Sequence, residues 1–201
     1  MGRPSSFHRG AAIETAMQEF WSNGYEATSV KAISETLGIT RSSFYNAFGS
    51  REDLFKEALA VYFVQSPDAA LNEVLPDTRI LELLTWTFRA VCAARASNRK
   101  GRGCLVINSL TELGGTHEEL GAMITNAVLG GAARFEKLLK IAVESGELDA
   151  ETDVHAKALA LQNLLIGLNA FATALHDEEE LWLTAKTTLE ALGLYDGVQD
   201  A

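Results

Sequence analysis

Residues Thr28 to Phe55 read TSVKAISETLGITRSSFYNAFGSREDLF, and the fold is decided there. Thr28 and Ser29 are good N-cap residues, and Val30, Ile33 and Leu37 follow at helical spacing. Gly38 is the predicted stop, because glycine accepts the left-handed conformation in which helices often end. Ile39 packs inward across the turn, and Thr40 caps a second helix running from Arg41 to Phe48. Phe44 and Phe48, four residues apart, share its buried face. Gly49 closes that helix, and Ser50 caps a third through an S-x-x-D pair with Asp53. Two short helices across a tight turn, with a third behind them, make a helix-turn-helix.

The outward face of the second helix carries Arg41, Ser42, Tyr45 and Asn46, a short, polar, hydrogen-bonding surface suited to a major groove. Arginine can bond two acceptors on guanine, and asparagine can do the same on adenine. Arg41 and Asn46 are therefore the candidates for base reading. Tyr45, Thr28, Ser29, Lys31 and Thr40 suit phosphate contacts that fix the register. Ser43 completes the DNA-facing set, and Arg51 is expected beside the phosphates at the start of the third helix. Any one of these is equally well an ordinary polar residue on a surface helix. Their combination with the turn glycine and the aromatic pair singles them out.

The segment resembles the N-terminal domain of tetracycline-repressor-like (TetR/AcrR) transcriptional regulators. The match begins with Ile13, Ala16, Phe20 and Gly24-Tyr25. It continues through Thr28-Ser29-Val30, Ile33, Leu37-Gly38-Ile39, Phe44-Tyr45, Phe48 and Arg51 to Leu54-Phe55. Gly2-Arg3-Pro4 is similar to the basic arm of that family, and Arg3 is placed near the minor groove by it. Two departures bear on the operator sequence: Arg51 stands where lysine is usual, and Asn46-Ala47 replaces a bulkier pair. The resemblance implies an all-α chain. Residues 1–50 would form a three-helix DNA-binding domain, and residues 51–201 a helical effector-binding and dimerisation domain. The implied function is repression at a palindromic operator, relieved by a small-molecule or thiol-reactive effector. The connecting helix after Arg51 would carry the signal.

Composition agrees with a packed helical protein. The 201 residues are 47% hydrophobic with three prolines. No apolar leader and no uninterrupted run of eighteen apolar residues occurs, so a cytoplasmic location without membrane contact is expected. The two cysteines are expected as thiols. The net charge of −10 sits oddly with DNA until it is divided along the chain. Residues 1–60 hold six Lys/Arg and seven Asp/Glu, while the remainder holds eleven and twenty. Between Thr28 and Arg51, Lys31, Arg41 and Arg51 oppose Glu35 alone. Screening acts over about 8 Å, so the distal acid does not cancel phosphate attraction at the reading face.

Downstream, the apolar spacing predicts helices over Glu52–Gln65, Thr78–Ala96, from near Cys104 to a stop at Gly114-Gly115, His117–Ser145 (weakened at Gly130-Gly131), Asp153–His176 and Glu178–Leu192, with Ser66-Pro67-Asp68 and Pro76-Asp77 as punctuation. The helix after Asp153 is apolar around most of its circumference, from Ala158 and Leu161 to Gly167, Ala170 and Phe171. It suits either an internal core position or, as the resemblance implies, a four-helix interface between two protomers.

Arg102-Gly103-Cys104-Leu105-x-x-Asn108 also resembles a subset of the family, some members of which sense electrophiles or oxidants through this cysteine. A thiol in the first turn of a helix beside cations would favour the thiolate. Cys104 is thus read as a reactive sensor, a contact to a reversible ligand, or a packing residue. Trp86, Phe88, Asn108, Met123, Phe135 and Phe171 could join it around an effector, or could be simple core. His117, His155 and His176 are scattered, and no metal or cofactor is expected. No nucleophile–base pair or phosphate loop points to an enzyme. A helical enzyme and a DNA-binding adaptor without effector are the remaining alternatives.

Overall fold

The computed structural model describes residues 8–98 and 100–197. Its order is α1 (Arg9–Asn23), α2 (Val30–Thr36), α3 (Arg41–Phe48), α4 (Arg51–Gln65), a 3-10 helix (Pro67–Asn72), α5 (Ile80–Ala96), α6 (Leu105–Leu113), α7 (Glu118–Glu144), α8 (Val154–Phe171) and α9 (Glu178–Ala191). Among the described residues no helix is long and apolar enough to cross a membrane.

The predicted caps form as hydrogen bonds. Ser29 Oγ accepts from Ala32 N at 3.1 Å, Thr40 Oγ1 from Ser43 N at 3.1 Å, and Ser50 Oγ from Asp53 N at 2.9 Å. Each cap contributes about 1 kcal/mol. The turn between α2 and α3 is a Schellman closure: Ile39 N bonds Ser34 O and Gly38 N bonds Glu35 O. Gly38 sits at φ +64°, and no atom lies within 4 Å of where its Cβ would be. Glycine is needed there for the backbone, not for space.

Two apolar cores share the chain. The first gathers α1 to α4 around Phe20, Tyr25, Ile33, Phe44, Phe48 and Phe55, and includes α6 and the start of α7. Phe55 lies edge-on to Phe20 at 5.0 Å and tilted against Tyr25 at 4.9 Å. Each such pair adds about 0.5–1.5 kcal/mol beyond area burial. The second core joins α5, the later part of α7, α8 and α9 around Phe88, Phe135, Leu139, Leu161 and Leu181. Helix α7, 27 residues and about 40 Å long, enters both.

Three details differ from expectation. Gly130-Gly131 does not interrupt α7. A Cβ on Gly131 would meet the Gln162 amide of α8, so glycine there leaves room for that side chain, and the packing of α7 carries the local propensity cost. Helix α8 ends at Phe171, not His176, because Thr173 N and Ala174 N bond three residues back to Ala170 O and Phe171 O. Ser66-Pro67-Asp68, expected as punctuation alone, opens a 3-10 helix over Pro67–Asn72.

Gly38→Ala should cost roughly 1 kcal/mol, all of it conformational. Urea unfolding should show a lower midpoint with an unchanged slope. An unchanged midpoint would mean that the turn does not hold Gly38 in the left-handed region.

Candidate nucleic-acid interface and its coupling to the bundle

On α3, the pair Phe44 and Phe48 is buried. At about 100° per residue, Ser42 and Asn46 fall opposite it. Arg41, Ser42, Ser43 and Asn46 are exposed, and Tyr45 is 52% exposed. Lys31 is exposed on α2, with Glu35 at 3.7 Å, a pair weak enough in water to leave the ammonium available to phosphate. These side chains therefore project from the helix-turn-helix, as the outward face of a reading element must. The structure turns two expected phosphate contacts inward. Thr28 is buried and its hydroxyl donates to Gly24 O at 2.6 Å. Arg51 folds over the Tyr25 ring at 4.0 Å and donates to Tyr25 O at 3.2 Å. Both serve the α1–α2 loop instead. Arg3 lies outside the described residues.

The loop ahead of α6 and α6 itself clasp this reading unit. The Arg102 guanidinium lies over the Trp21 ring at 4.1 Å and donates to Gln18 Oε1 at 2.6 Å. Trp21 Nε1 and Asn108 Nδ2 both donate to Arg102 O, at 3.2 and 2.7 Å. At the other end of α6, the Glu112 carboxylate accepts from Tyr25 N at 3.0 Å and Glu26 N at 2.9 Å. Lys56 of α4 pairs with Glu119 of α7. The arginine and asparagine of the R-G-C-L-x-x-N string thus dock the reading helices on the bundle.

Behind the clasp lies a buried polar cluster. Arg95 of α5 donates to Tyr62 Oη at 3.0 Å and to Asn169 Oδ1 of α8. Burial first, and the neighbouring Cys104 sulfur, push the Tyr62 phenol well above its ordinary range, with the Arg95 charge opposing. Cys104 is the extended N-cap residue of α6 and not part of its first turn, and it is buried. A small cavity of about 60 Å³ beside it is lined by Tyr62, Val106, Gln162, Leu165 and Asn169.

Of the residues expected around an effector, Cys104 alone reaches this cavity. Phe88 and Phe135 stack on each other at 6.0 Å inside the second core. Met123 packs on the first core. Trp86 and Phe171 are nearly half exposed, and Asn108 is spent on the Arg102 carbonyl. Helical spacing marks an apolar face but not which core receives it, so the set divides: Phe88 and Phe135 meet in the second core, Met123 joins the first, and Trp86 and Phe171 stay at the surface. Cys92 packs in the second core, and burial chiefly pushes its thiol up to about 12. Tyr62, Arg95, Gln162 and Asn169 escaped the sequence reading. Gln162 and Asn169, polar within the apolar helix α8, were the signal available.

The model of the bacterial regulatory proteins of the tetR family matches residues 12–58, and the tetracyclin repressor-like C-terminal domain matches residues 81–188. The chain belongs to the tetR family. It is a DNA-binding transcriptional regulator with the all-α, helix-turn-helix architecture of that family. It is 28% identical to the HTH-type transcriptional repressor ComR of Escherichia coli over 191 residues, 94% of this chain and 90% of ComR. It is also 28% identical to the uncharacterized regulator YezE of Bacillus subtilis, over 90% of this chain and 94% of YezE. Among solved structures, a cysteine mutant of the TetR family regulator CifR, complexed with 26-bp operator DNA, superposes with a TM-score of 0.84 at 30% identity. That match covers 94% of this chain and 99% of CifR.

Removing the Glu112 carboxylate leaves two loop N–H groups without their charged acceptor. Glu112→Ala should lower unfolding free energy by about 1.5–3 kcal/mol, read by urea titration. A change under a few tenths would show that water replaces the carboxylate.

Proposed function

We propose that this tetR-family regulator is a homodimeric repressor that releases a palindromic operator when a small-molecule or thiol-reactive effector acts on the helical bundle. Residues 1–50 read DNA, and residues 51–201 bind effector and dimerise in the cytoplasm. The observation that carries the reading is the outward polar face of α3. Arg41 and Asn46 contact bases, while Lys31, Ser42, Ser43, Tyr45 and the capped N-termini at Ser29 and Thr40 hold phosphates. The similar CifR is complexed with operator DNA, which supports duplex DNA as the partner of this fold.

Dimerisation follows from the geometry of reading two half-sites about one duplex turn apart. The supporting surface is the outer side of α8 and α9, where Leu159, Phe171 and Leu183 are exposed, and where Gly167 has no neighbour within 4 Å of a Cβ. Release is a population shift: the effector favours a state in which the two reading helices are misplaced for the operator. Helix α4 and the α6 clasp couple the bundle to α1, so a change around Cys104 reaches α3 through Trp21, Tyr25 and Phe55. Cys104 serves this switch by reacting with an electrophile or by touching a reversible ligand.

Duplexes selected from a random pool supply the operator for fluorescence anisotropy at fixed salt. Arg41→Ala and Asn46→Ala should each cost about 1–3 kcal/mol against the selected site and relax sequence preference, whereas Lys31→Ala should weaken all duplexes nearly equally. Selection of no preferred sequence would sink the reading.

For the dimer, Leu159→Glu combined with Phe171→Glu should give a monomer in sedimentation velocity. Operator affinity should fall on the order of a hundredfold once two half-sites bind independently. A double variant that stays dimeric places the interface elsewhere.

A further inference from the structure

Arg95 is 5% exposed, yet its partners are a phenol and a carboxamide, Tyr62 and Asn169. Among the described residues no carboxylate lies within ion-pair distance of it. Arginine does not discharge itself by losing a proton inside a protein. A buried guanidinium with neutral partners alone leaves most of its desolvation cost unbalanced. Such a charge calls for an anion.

The place for one adjoins it. A cleft of about 420 Å³, within the size range of small-molecule pockets, opens between α1, α4, the end of α5 and the loop before α6. Arg95, Lys100 and Arg102 line it, and no acidic side chain does among the described residues. That is the reverse of the surrounding sequence, where residues 61–201 hold nearly two acids for each base. Arg102 Nε is buried without a hydrogen-bond partner. Trp21 and Tyr62, edge to face at 5.1 Å, give the cleft an aromatic wall.

We infer that this cleft binds a small organic monocarboxylate with a flat apolar body. The carboxylate meets Arg95, with Lys100 and Arg102 adding to the field, and the apolar body lies against Trp21 and Tyr62. A carboxylate matches the planar guanidinium fork. One negative charge balances the one buried positive charge. The inference deepens the effector reading above and rests on it only for the regulatory consequence, because the cleft is walled by α1 and α4 as well as the bundle.

The test uses the full chain without DNA, so it stands apart from any result on the operator. Sodium benzoate and the neutral isostere benzamide are titrated by calorimetry at fixed ionic strength. Benzoate should bind saturably and at least about tenfold more tightly than benzamide, and Arg95→Gln should remove at least about tenfold of the benzoate affinity. Equal affinities, no saturable benzoate binding, or full benzoate affinity in folded Arg95→Gln would each overturn the assignment. Chloride or inorganic phosphate displacing benzoate on equal terms would mean an adventitious counter-ion only. Should Arg95→Gln fail to fold, the wild-type ratio of benzoate to benzamide decides alone. Lys100→Gln at the exposed rim should then weaken benzoate by about threefold.

Discussion

The mutual burial of Phe20, Tyr25 and Phe55 is the contact on which the rest of the molecule depends. These rings come from α1, the α1–α2 loop and α4, and together they hold the loop backbone where Glu112 can accept two of its N–H groups. Arg51 lies over the outer face of the same Tyr25. The presentation of α3, the seat of α6 and the start of the connecting helix all follow from one aromatic cluster. Such rings bury large areas with few rotamers, so they set orientation as well as stability.

From that cluster α6 and the start of α7 pack into the same apolar core as α1 to α4, and polar groups rim that packing: Arg102 on Gln18 and Trp21, Glu112 on the loop, Lys56 on Glu119. Contacts of this kind are individually modest. Around the basic cleft these polar contacts are the part of the junction that an occupant contributing a few kcal/mol can rearrange, as an equilibrium between two states requires. The acid lies away from the reading face: residues 61–201 hold eleven Lys/Arg and twenty Asp/Glu, and a surface of that sign repels phosphate.

Cys104 shows how far local rules reach. Its sequence neighbourhood, with arginine and lysine beside a helix start, describes an activated thiol. In three dimensions Arg102 faces Trp21 and the sulfur faces Tyr62. The same folding places Arg95 inside the protein, although a basic residue in the last turn of a helix ordinarily reads as a solvated end favourable to the dipole.

The sequence by itself determined whatever depends on neighbours within about one helical turn: the caps at Ser29, Thr40 and Ser50, the reversal at Gly38, the inward pair Phe44 and Phe48, and the outward polar face of α3. Helix boundaries downstream followed to within a few residues for the same reason, since periodicity and capping are local. Tertiary structure alone decided which core each apolar face entered, and so dispersed Trp86, Phe88, Met123, Phe135 and Phe171. It also turned Thr28 and Arg51 from the DNA side to the interior, and assembled Tyr62, Arg95, Cys104 and Asn169 from four separate segments. Charge and hydrogen-bond partners across 33 and 74 residues of chain leave no periodic trace, because they are set by how helices pack and not by how any one of them is wound.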